Sequence, residues 1–182
     1  MPIRIHKDII QGSDEWLAIR CGLLTASEMD KVLTPTLKVA SNESSRAHVW
    51  EIAAQRISRF VEPSYVSDDM LRGSDEEILA RAAYAANYGP VEEVGFVTND
   101  SLGFVIGCSP DGMVGDDGII EIKSRKQKYQ IETIISRRMP DTSAINCMLQ
   151  IQTALFVTGR KWCDFVSYHG GLDRKSVCRE RV

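Results

Sequence analysis

Apolar and polar positions along the 182-residue chain take helical spacing in the first half and form strand-like runs in the middle. Ser13 stands as an N-cap ahead of Asp14, and Trp16, Leu17 and Ile19 follow on a short helix. Thr25-Ala26-Ser27-Glu28 fits a capping box and predicts a helix that stops before Pro35. Trp50, Ala53, Ala54, Ile57, Phe60 and Val61 recur at helical spacing and mark a long amphipathic helix from about Ser45. After Gly73, Ser74-Asp75-Glu76-Glu77 is a second capping-box pattern, predicting a helix through the alanine-rich stretch to about Asn87. Val94–Thr98 and Leu102–Cys108 are apolar runs separated by Asn99-Asp100, the signature of a hairpin. A second hairpin is predicted from Met113–Val114 and Gly118–Lys123. Helices over Gln127–Arg138 and from Ser143 through Val157, then a strand over Trp162–Tyr168, complete the pattern. The order predicts an α/β (α+β) fold, a small mixed sheet with helices on its faces, in one domain with a helical part (about 1–90) and a sheet-bearing part (about 91–182).

Composition narrows the class. The chain has 43% hydrophobic residues, 22 Lys+Arg against 25 Asp+Glu and a net charge of −3, which describes an ordinary globular protein and favours a small-molecule enzyme over a nucleic-acid binder. No apolar run approaches the roughly 20 residues of a membrane span. Arg4, His6, Lys7 and Asp8 occupy the place where a signal peptide needs an apolar core, so the expectation is an unanchored intracellular protein. Five scattered cysteines without a C-x-x-C pair, and three scattered histidines, disfavour disulfides and Cys/His zinc sites.

Local charge departs from the total. Asp68, Asp69, Asp75, Glu76 and Glu77 stand against one base, Arg72, whereas Lys123, Arg125, Lys126, Lys128, Arg137 and Arg138 stand against two acids in Glu121–Arg138. Such runs are ordinarily solvated faces, but an acidic cation site beside a basic phosphate track also has this pattern. The most informative segment is Ser109-Pro110-Asp111 followed by Gly118-Ile119-Ile120-Glu121-Ile122-Lys123. Residues two apart on a strand share a face, so Glu121 and Lys123 are displayed together while Ile120 and Ile122 face the opposite layer. Asp111 comes alongside Glu121 if the hairpin pairs in register. Two carboxylates and an ammonium would then converge, the residue types that hold a hard cation and orient water at a phosphodiester. The alternative is an ordinary solubilising E-x-K face beside an Asp-Gly turn.

Pro110-Asp111, nine intervening residues and Glu121-Ile122-Lys123 resemble the PD-(D/E)XK nuclease motif, and their surroundings resemble its lambda exonuclease branch, the YqaJ-like viral recombinases. Trp16-Leu17-Ala18-Ile19-Arg20, Gly22 and Thr25-Ala26-Ser27-Glu28 resemble the family's W-x-x-x-R-x-G-x-x-T-A-S segment. Gly73-Ser74-Asp75-Glu76-Glu77 resembles its G-x-x-x-E helix start, Cys108-Ser109-Pro110-Asp111-Gly112 its C-S-P-D-G core, and Gln150-Ile151-Gln152 its Q-x-Q helix.

This resemblance implies a restriction-endonuclease-like core. It also implies metal ligation by Asp111, Glu121, the Ile122 carbonyl and Glu77, with Lys123 positioning the attacking water and Gln150 in the active-site wall. Arg20, Ser27 and Ser109 would grip a 5′-phosphate, aided by the helix start at Thr25, with Trp16 near the DNA end. On the residues alone, Glu77 reads rather as the partner of a Ser74 cap, and Trp16 as core. The implied activity is Mg²⁺-dependent 5′→3′ exonucleolysis of linear duplex from a 5′-phosphorylated end, with two ions per site and Mn²⁺ as the alternative metal. The implied context is a cytoplasmic, phage or prophage encoded protein, a homotrimeric ring around DNA and a single-strand annealing recombinase as partner. Competing expectations are a PD-(D/E)XK endonuclease, a non-catalytic DNA-end binding module and a small-molecule metalloenzyme. The resemblance further implies a strand and a C-terminal helix around and beyond Arg179-Glu180-Arg181-Val182, so the chain is expected to be naturally short or cut short there.

Overall fold

The computed structural model describes residues 2–63, 65, 67–139, 141–172 and 178–181. It is a mixed α/β fold whose elements run β1 (Ile3–His6), α1 (Asp14–Arg20), β2 (Leu24–Thr25), a 3-10 turn (Ala26–Glu28), α2 (Met29–Val32), α3 (Glu43–Ser58), α4 (Asp68–Tyr88), β3 (Phe96–Asn99), β4 (Ile106–Cys108), β5 (Gly112–Val114), β6 (Gly118–Ser124), α5 (Gln127–Ser136), α6 (Asp141–Thr158), β7 (Trp162–Tyr168) and β8 (Cys178–Arg181). They form two compact units, one of residues 1–63, 94–109 and 145–159, the other of residues 64–93, 110–144 and 160–182.

The first unit holds a mixed sheet in the order β1-β3-β4-β2. Antiparallel β3/β4 is the predicted hairpin, shortened to Val97↔Cys108 through Asn99↔Ile106. β1, which alternates Ile3, Arg4, Ile5 and His6, and the two-residue β2 are too short to stand on their own pattern and are recruited to its edges. Parallel pairing of Thr25 with Gly107 fixes the chain after α1, and Gly107 is required there because an added Cβ would meet the Phe96 ring at 2.3 Å. Gly22, at φ +73°, makes the turn between α1 and β2, where α3 clamps it: Arg56 Nε donates to its carbonyl at 2.7 Å, and its N–H donates to Gln55 Oε1 at 2.9 Å. Ser13 caps α1 as predicted, accepting from Trp16 N–H. The Thr25/Glu28 capping box forms too, but it starts a three-residue 3-10 turn and a four-residue helix rather than a continuous helix. The expected helix-dipole aid to anion binding at Thr25 is thereby removed, since neither piece has the length to sum a macrodipole.

The second unit holds the mixed sheet β5-β6-β7-β8, with α4 and α5 packed on it. Parallel β6/β7 pairing runs from Gly118↔Trp162 to Ser124↔Tyr168, and β7/β8 is antiparallel. Ile120, Ile122, Val166 and Tyr168 of this sheet bury one face against Ala80 and Tyr84 of α4. Ser167, of opposite facing to Val166, exchanges hydrogen bonds with buried Gln130 of α5. The helices therefore cover opposite faces. α4 begins at Asp68 with Ser67 as N-cap, six residues before the predicted start, so Gly73 and Ser74 lie inside it. Ser74 caps nothing; its hydroxyl donates back to Met70 O. The cap interpretation of Glu77 falls with it.

A buried polar contact fastens α4. Asp164 on β7, 0% exposed, accepts from Tyr84 O–H at 2.5 Å and from Arg181 Nε at 3.0 Å, while the Arg181 guanidinium stacks over Trp162. No helix among the described residues is long and apolar enough to cross a membrane, and none of Cys21, Cys108, Cys147 and Cys163 is in a disulfide. Tyr84→Phe deprives the buried carboxylate of one donor and is expected to cost about 1–2 kcal/mol in urea unfolding. Ile135→Ala, on the 77% exposed face of α5, should stay within about 0.5 kcal/mol. Equal midpoints for the two variants would contradict the assignment.

Candidate active site

The β5/β6 hairpin builds the center of the site. Gly112 pairs with Ile120, so one step outward Asp111 stands opposite Glu121. A side chain at residue 112 has no room: its Cβ would lie 2.2 Å from Val91 Cγ1. Asp111 Oδ2 accepts the Ile122 N–H at 2.5 Å, locking the carboxylate across the hairpin mouth. Glu121 is 3% exposed, and Lys123 Nζ lies 2.6 Å from its Oε1. That contact is an ion pair off hydrogen-bond alignment, and Oε1 accepts no aligned hydrogen bond. Glu121 and Lys123 thus share a face, and Ile120 and Ile122 lie in the opposite core, as strand alternation requires.

The two adjacent carboxylates of α4 go different ways. Glu76 is buried and consumed by the scaffold, accepting from Ser124 Oγ at 2.6 Å and Gly170 N–H at 3.0 Å. Glu77 feels the charges of Glu121 and Lys123, and its Oε1 accepts from Arg81 Nη2 at 2.5 Å. Arg81 is a residue that motif reading missed. Its Nε donates to the Asp111 carbonyl at 2.7 Å and its Nη1 to Glu93 at 2.6 Å, so one guanidinium ties α4 to the Asp111 turn. Its only sequence signal was the i,i+4 spacing from Glu77.

The electrostatics carry excess negative charge. Burial, reinforced by the charges of Glu121 and Glu77, pushes the Asp111 carboxyl well above the ordinary carboxylate range, against the opposing pull of Lys123 and the Ile122 N–H. Burial also raises Glu77, partly offset by Arg81. The nearby Cys163 thiol is pushed up strongly by burial and by the charges of Glu121, Asp111 and Asp164. Among the described residues, no three His, Cys, Asp or Glu side chains stand close enough to form a ready-made metal cluster. What the site offers is a set of hard oxygen donors: the two facing carboxylates, one with an unaligned buried oxygen, and the Ile122 carbonyl between Glu121 and Lys123. That chemistry fits Mg²⁺ or Mn²⁺, with Glu77 held by Arg81.

The other predicted residues belong to the first unit, where most of them join in one network. The Arg20 guanidinium stacks 4.0 Å from the Trp16 ring centroid, and Trp16 Nε1 donates to Ser109 Oγ at 2.8 Å. Ser109 in turn donates to Gly95 O. Arg20 Nη2 donates to Thr25 Oγ1 at 3.4 Å, and Thr25 and Ser27 hydroxyls lie 3.2 Å apart. Trp16 is therefore the plate that supports Arg20 and steers Ser109 rather than a core residue. Gln150 sits half-buried on α6 beside fully buried Ile151. The basic stretch is partly neutralised, because Lys126 Nζ pairs with Asp69 at 2.8 Å.

Comparison with known proteins places these features. The chain is similar to an alkaline exonuclease, LHK-Exo, from Laribacter hongkongensis, with 34% identity and a TM-score of 0.78 over 93% of this chain and 81% of that one. LHK-Exo in complex with dAMP gives 35% identity and the same TM-score, covering 93% and 82%. A phage related exonuclease from Haemophilus somnus 129PT, at 13% identity and a TM-score of 0.55 over 80% and 68%, shares the fold alone. Among curated proteins, none matches. The YqaJ-like viral recombinase domain model matches residues 15–161, which span the Trp16–Ser109 network and the Asp111–Lys123 hairpin together. The chain belongs to that family, within the PD-(D/E)XK-related exonuclease group.

Proposed function

We propose that this protein is a divalent-metal-dependent 5′→3′ exonuclease that degrades one strand of linear duplex DNA from a 5′-phosphorylated end and leaves a 3′ single strand. The observation that carries the proposal is the hairpin register that sets Asp111 opposite Glu121 with Lys123 on the same face. The kinship with LHK-Exo, an alkaline exonuclease whose complex holds dAMP, supports the exonucleolytic part of it, because a mononucleotide is what stepwise cleavage of a DNA strand releases.

Asp111, Glu121 and the Ile122 carbonyl would hold Mg²⁺ (or Mn²⁺), two ions when DNA is present, with Glu77 joining from α4. Bound there, the metal supplies an activated water and neutralises charge on the phosphate. Lys123, tethered to Glu121, would orient an attacking water and donate to the non-bridging oxygens as negative charge develops on them. Arg81 keeps Glu77 and the Asp111 carbonyl in place. Gln150 would complete the wall of the site. Arg20 offers a planar fork to the terminal 5′-phosphate, and Ser27 and Ser109 add hydroxyls once they turn from Thr25 and Gly95. The accompanying proposal, which the family kinship suggests, is a phage or prophage encoded homotrimeric ring in the cytoplasm of a bacterial host cell. It would hand the 3′ strand to a single-strand annealing recombinase.

Linear 5′-phosphorylated duplex, its 5′-hydroxyl counterpart and closed circular DNA distinguish the alternatives, each with Mg²⁺ and with EDTA. The phosphorylated duplex is expected to be degraded fastest, circles to survive, and EDTA to stop all cleavage. Lys123→Ala should lose about 10²–10³-fold in rate. Circles cut as fast as linear DNA would establish an endonuclease instead, and an unimpaired Lys123→Ala would remove the mechanism.

Metal-free stability gives a second test. Because the folded-state carboxyls of Asp111 and Glu77 are raised, the folded protein binds more protons than the unfolded chain above about pH 4. Metal-free stability should therefore fall as pH rises from that value through the raised ones. Asp111→Asn keeps an oxygen for the Ile122 N–H while removing the crowded charge. It should gain about 1 kcal/mol at neutral pH in EDTA, abolish cleavage, and lose the rise in melting temperature that Mg²⁺ gives the parent. A variant less stable than the parent in EDTA would refute this electrostatic account.

A further inference from the structure

The network around Arg20 continues inward to two residues that the proposed function does not use. Thr25 is 3% exposed, and its Oγ1 lies 2.7 Å from Glu28 Oε2, which also accepts the Thr25 N–H at 3.2 Å. A carboxylate only accepts, so the single hydroxyl hydrogen of Thr25 is committed to Glu28. Thr25 Oγ1 is then left as an acceptor, shared by the Glu28 N–H of the capping box, Arg20 Nη2 at 3.4 Å and the Ser27 hydroxyl at 3.2 Å. If the hydrogen pointed outward it would face the guanidinium and push it away. Glu28 thus sets the direction of the hydrogen bonds that aim Arg20 and Ser27.

Behind Glu28 stands His48 of α3, 3% exposed. Its Nδ1 is 3.1 Å from Glu51 Oε2, and its Nε2 is buried without a hydrogen bond, 4.0 Å from the same Glu28 Oε2 that holds Thr25. Lys31 Nζ also faces Glu28, 4.0 Å from Oε1, and the Glu28 charge acts on the Arg20 guanidinium as well. The imidazole walls Glu28 from water on the α3 side, leaving its Oε2 for Thr25.

We infer that Glu28 and His48 are positioning residues for recognition of the DNA 5′-phosphate, acting through the Thr25 hydroxyl to hold Arg20 and Ser27 in their phosphate-binding orientation. The inference rests on the proposed role of Arg20 and Ser27. It deepens that role by assigning 5′-phosphate specificity to an inner layer that touches no DNA.

The test measures kcat/KM on 5′-phosphorylated and 5′-hydroxyl linear duplexes with Mg²⁺, for the intact chain and for Arg20→Ala, Glu28→Gln, Thr25→Val, the Glu28→Gln/Thr25→Val double variant and His48→Phe. Glu28→Gln keeps the shape but weakens the acceptor, and should reduce the phosphate preference about fivefold, the difference between a charged and a neutral acceptor. The loss should fall on KM for phosphorylated ends rather than on kcat, a split that general loosening of the fold would not give. Because Glu28 acts through the Thr25 hydroxyl, the double variant should lose no more than Thr25→Val alone. His48→Phe retains the wall and removes the nitrogens, with His48→Gln as the substitute if it fails to fold. A His48 variant should reduce the preference in the same direction, again through KM. Full parental preference in Glu28→Gln, or strict additivity in the double variant, would overturn the inference while Arg20→Ala still loses the preference. If Arg20→Ala itself keeps the preference, the phosphate-binding role of the cluster falls and the inference with it.

Discussion

The register of one short hairpin governs the site. Pairing Gly112 with Ile120 sets Asp111 against Glu121, points Ile120 and Ile122 at α4, and leaves Lys123 beside Glu121. A slip of one residue would invert all of these, burying the two charges against Ala80 and Tyr84 and exposing two isoleucines. Burial of Ile120 and Ile122 therefore enforces the register. The carboxylates of Asp111 and Glu121 gain their placement from it, since they repel one another and would not assemble unaided. Gly112 is part of this constraint, because any Cβ there meets Val91, which packs on the core, and would displace it.

The same division between stable core and costly site runs through α4. Ala80 and Tyr84 pack on the sheet, and Tyr84 adds the bond to buried Asp164. Glu76 is fixed by Ser124 and Gly170. With the helix fastened on these contacts, Glu77 has no structural obligation except to Arg81 and can be held in an unfavourable field. Its raised carboxyl and that of Asp111 mark where the metal-free protein tolerates repulsion. Arg81 moderates that repulsion while remaining on the scaffold side, through the Asp111 carbonyl and Glu93.

The strand alternation of Ile120–Lys123, the Ser13 cap, the Thr25/Glu28 box and both hairpins were legible in the sequence because each is a local pattern with a local cause. The true start of α4 was not, because two capping patterns compete within a few residues and Ser67 wins, carrying Gly73 into a helix interior that neighbouring packing supports. β1 and β2 were missed since their order comes from β3 and β4, distant in the chain. Trp16 had two readings, core or DNA contact, and the structure gives it a third, as the support beneath Arg20 and the donor to Ser109. Arg81 and His48 were missed for a common reason: each draws its meaning from partners that only the fold assembles.

Charge illustrates the same limit. In the sequence, the acidic run at 68–77 and the basic run at 121–138 suggested a cation pocket beside a phosphate track. In the fold they meet each other. Asp69 pairs with both Arg72 and Lys126, and Glu121 pairs with Lys123. Glu76 is spent on Ser124. The acids that reach the candidate metal site are therefore a minority of the acidic run, essentially Glu77 alone, and Lys126 is balanced before any polyanion arrives. A total of −3 sums internally paired charges with a few that act. The charges that define the chemistry here are those the fold leaves crowded: Asp111, Glu121 and Glu77 around one ammonium and one guanidinium. Their excess negative charge makes a divalent cation the natural complement of the site, without any need for a basic protein overall.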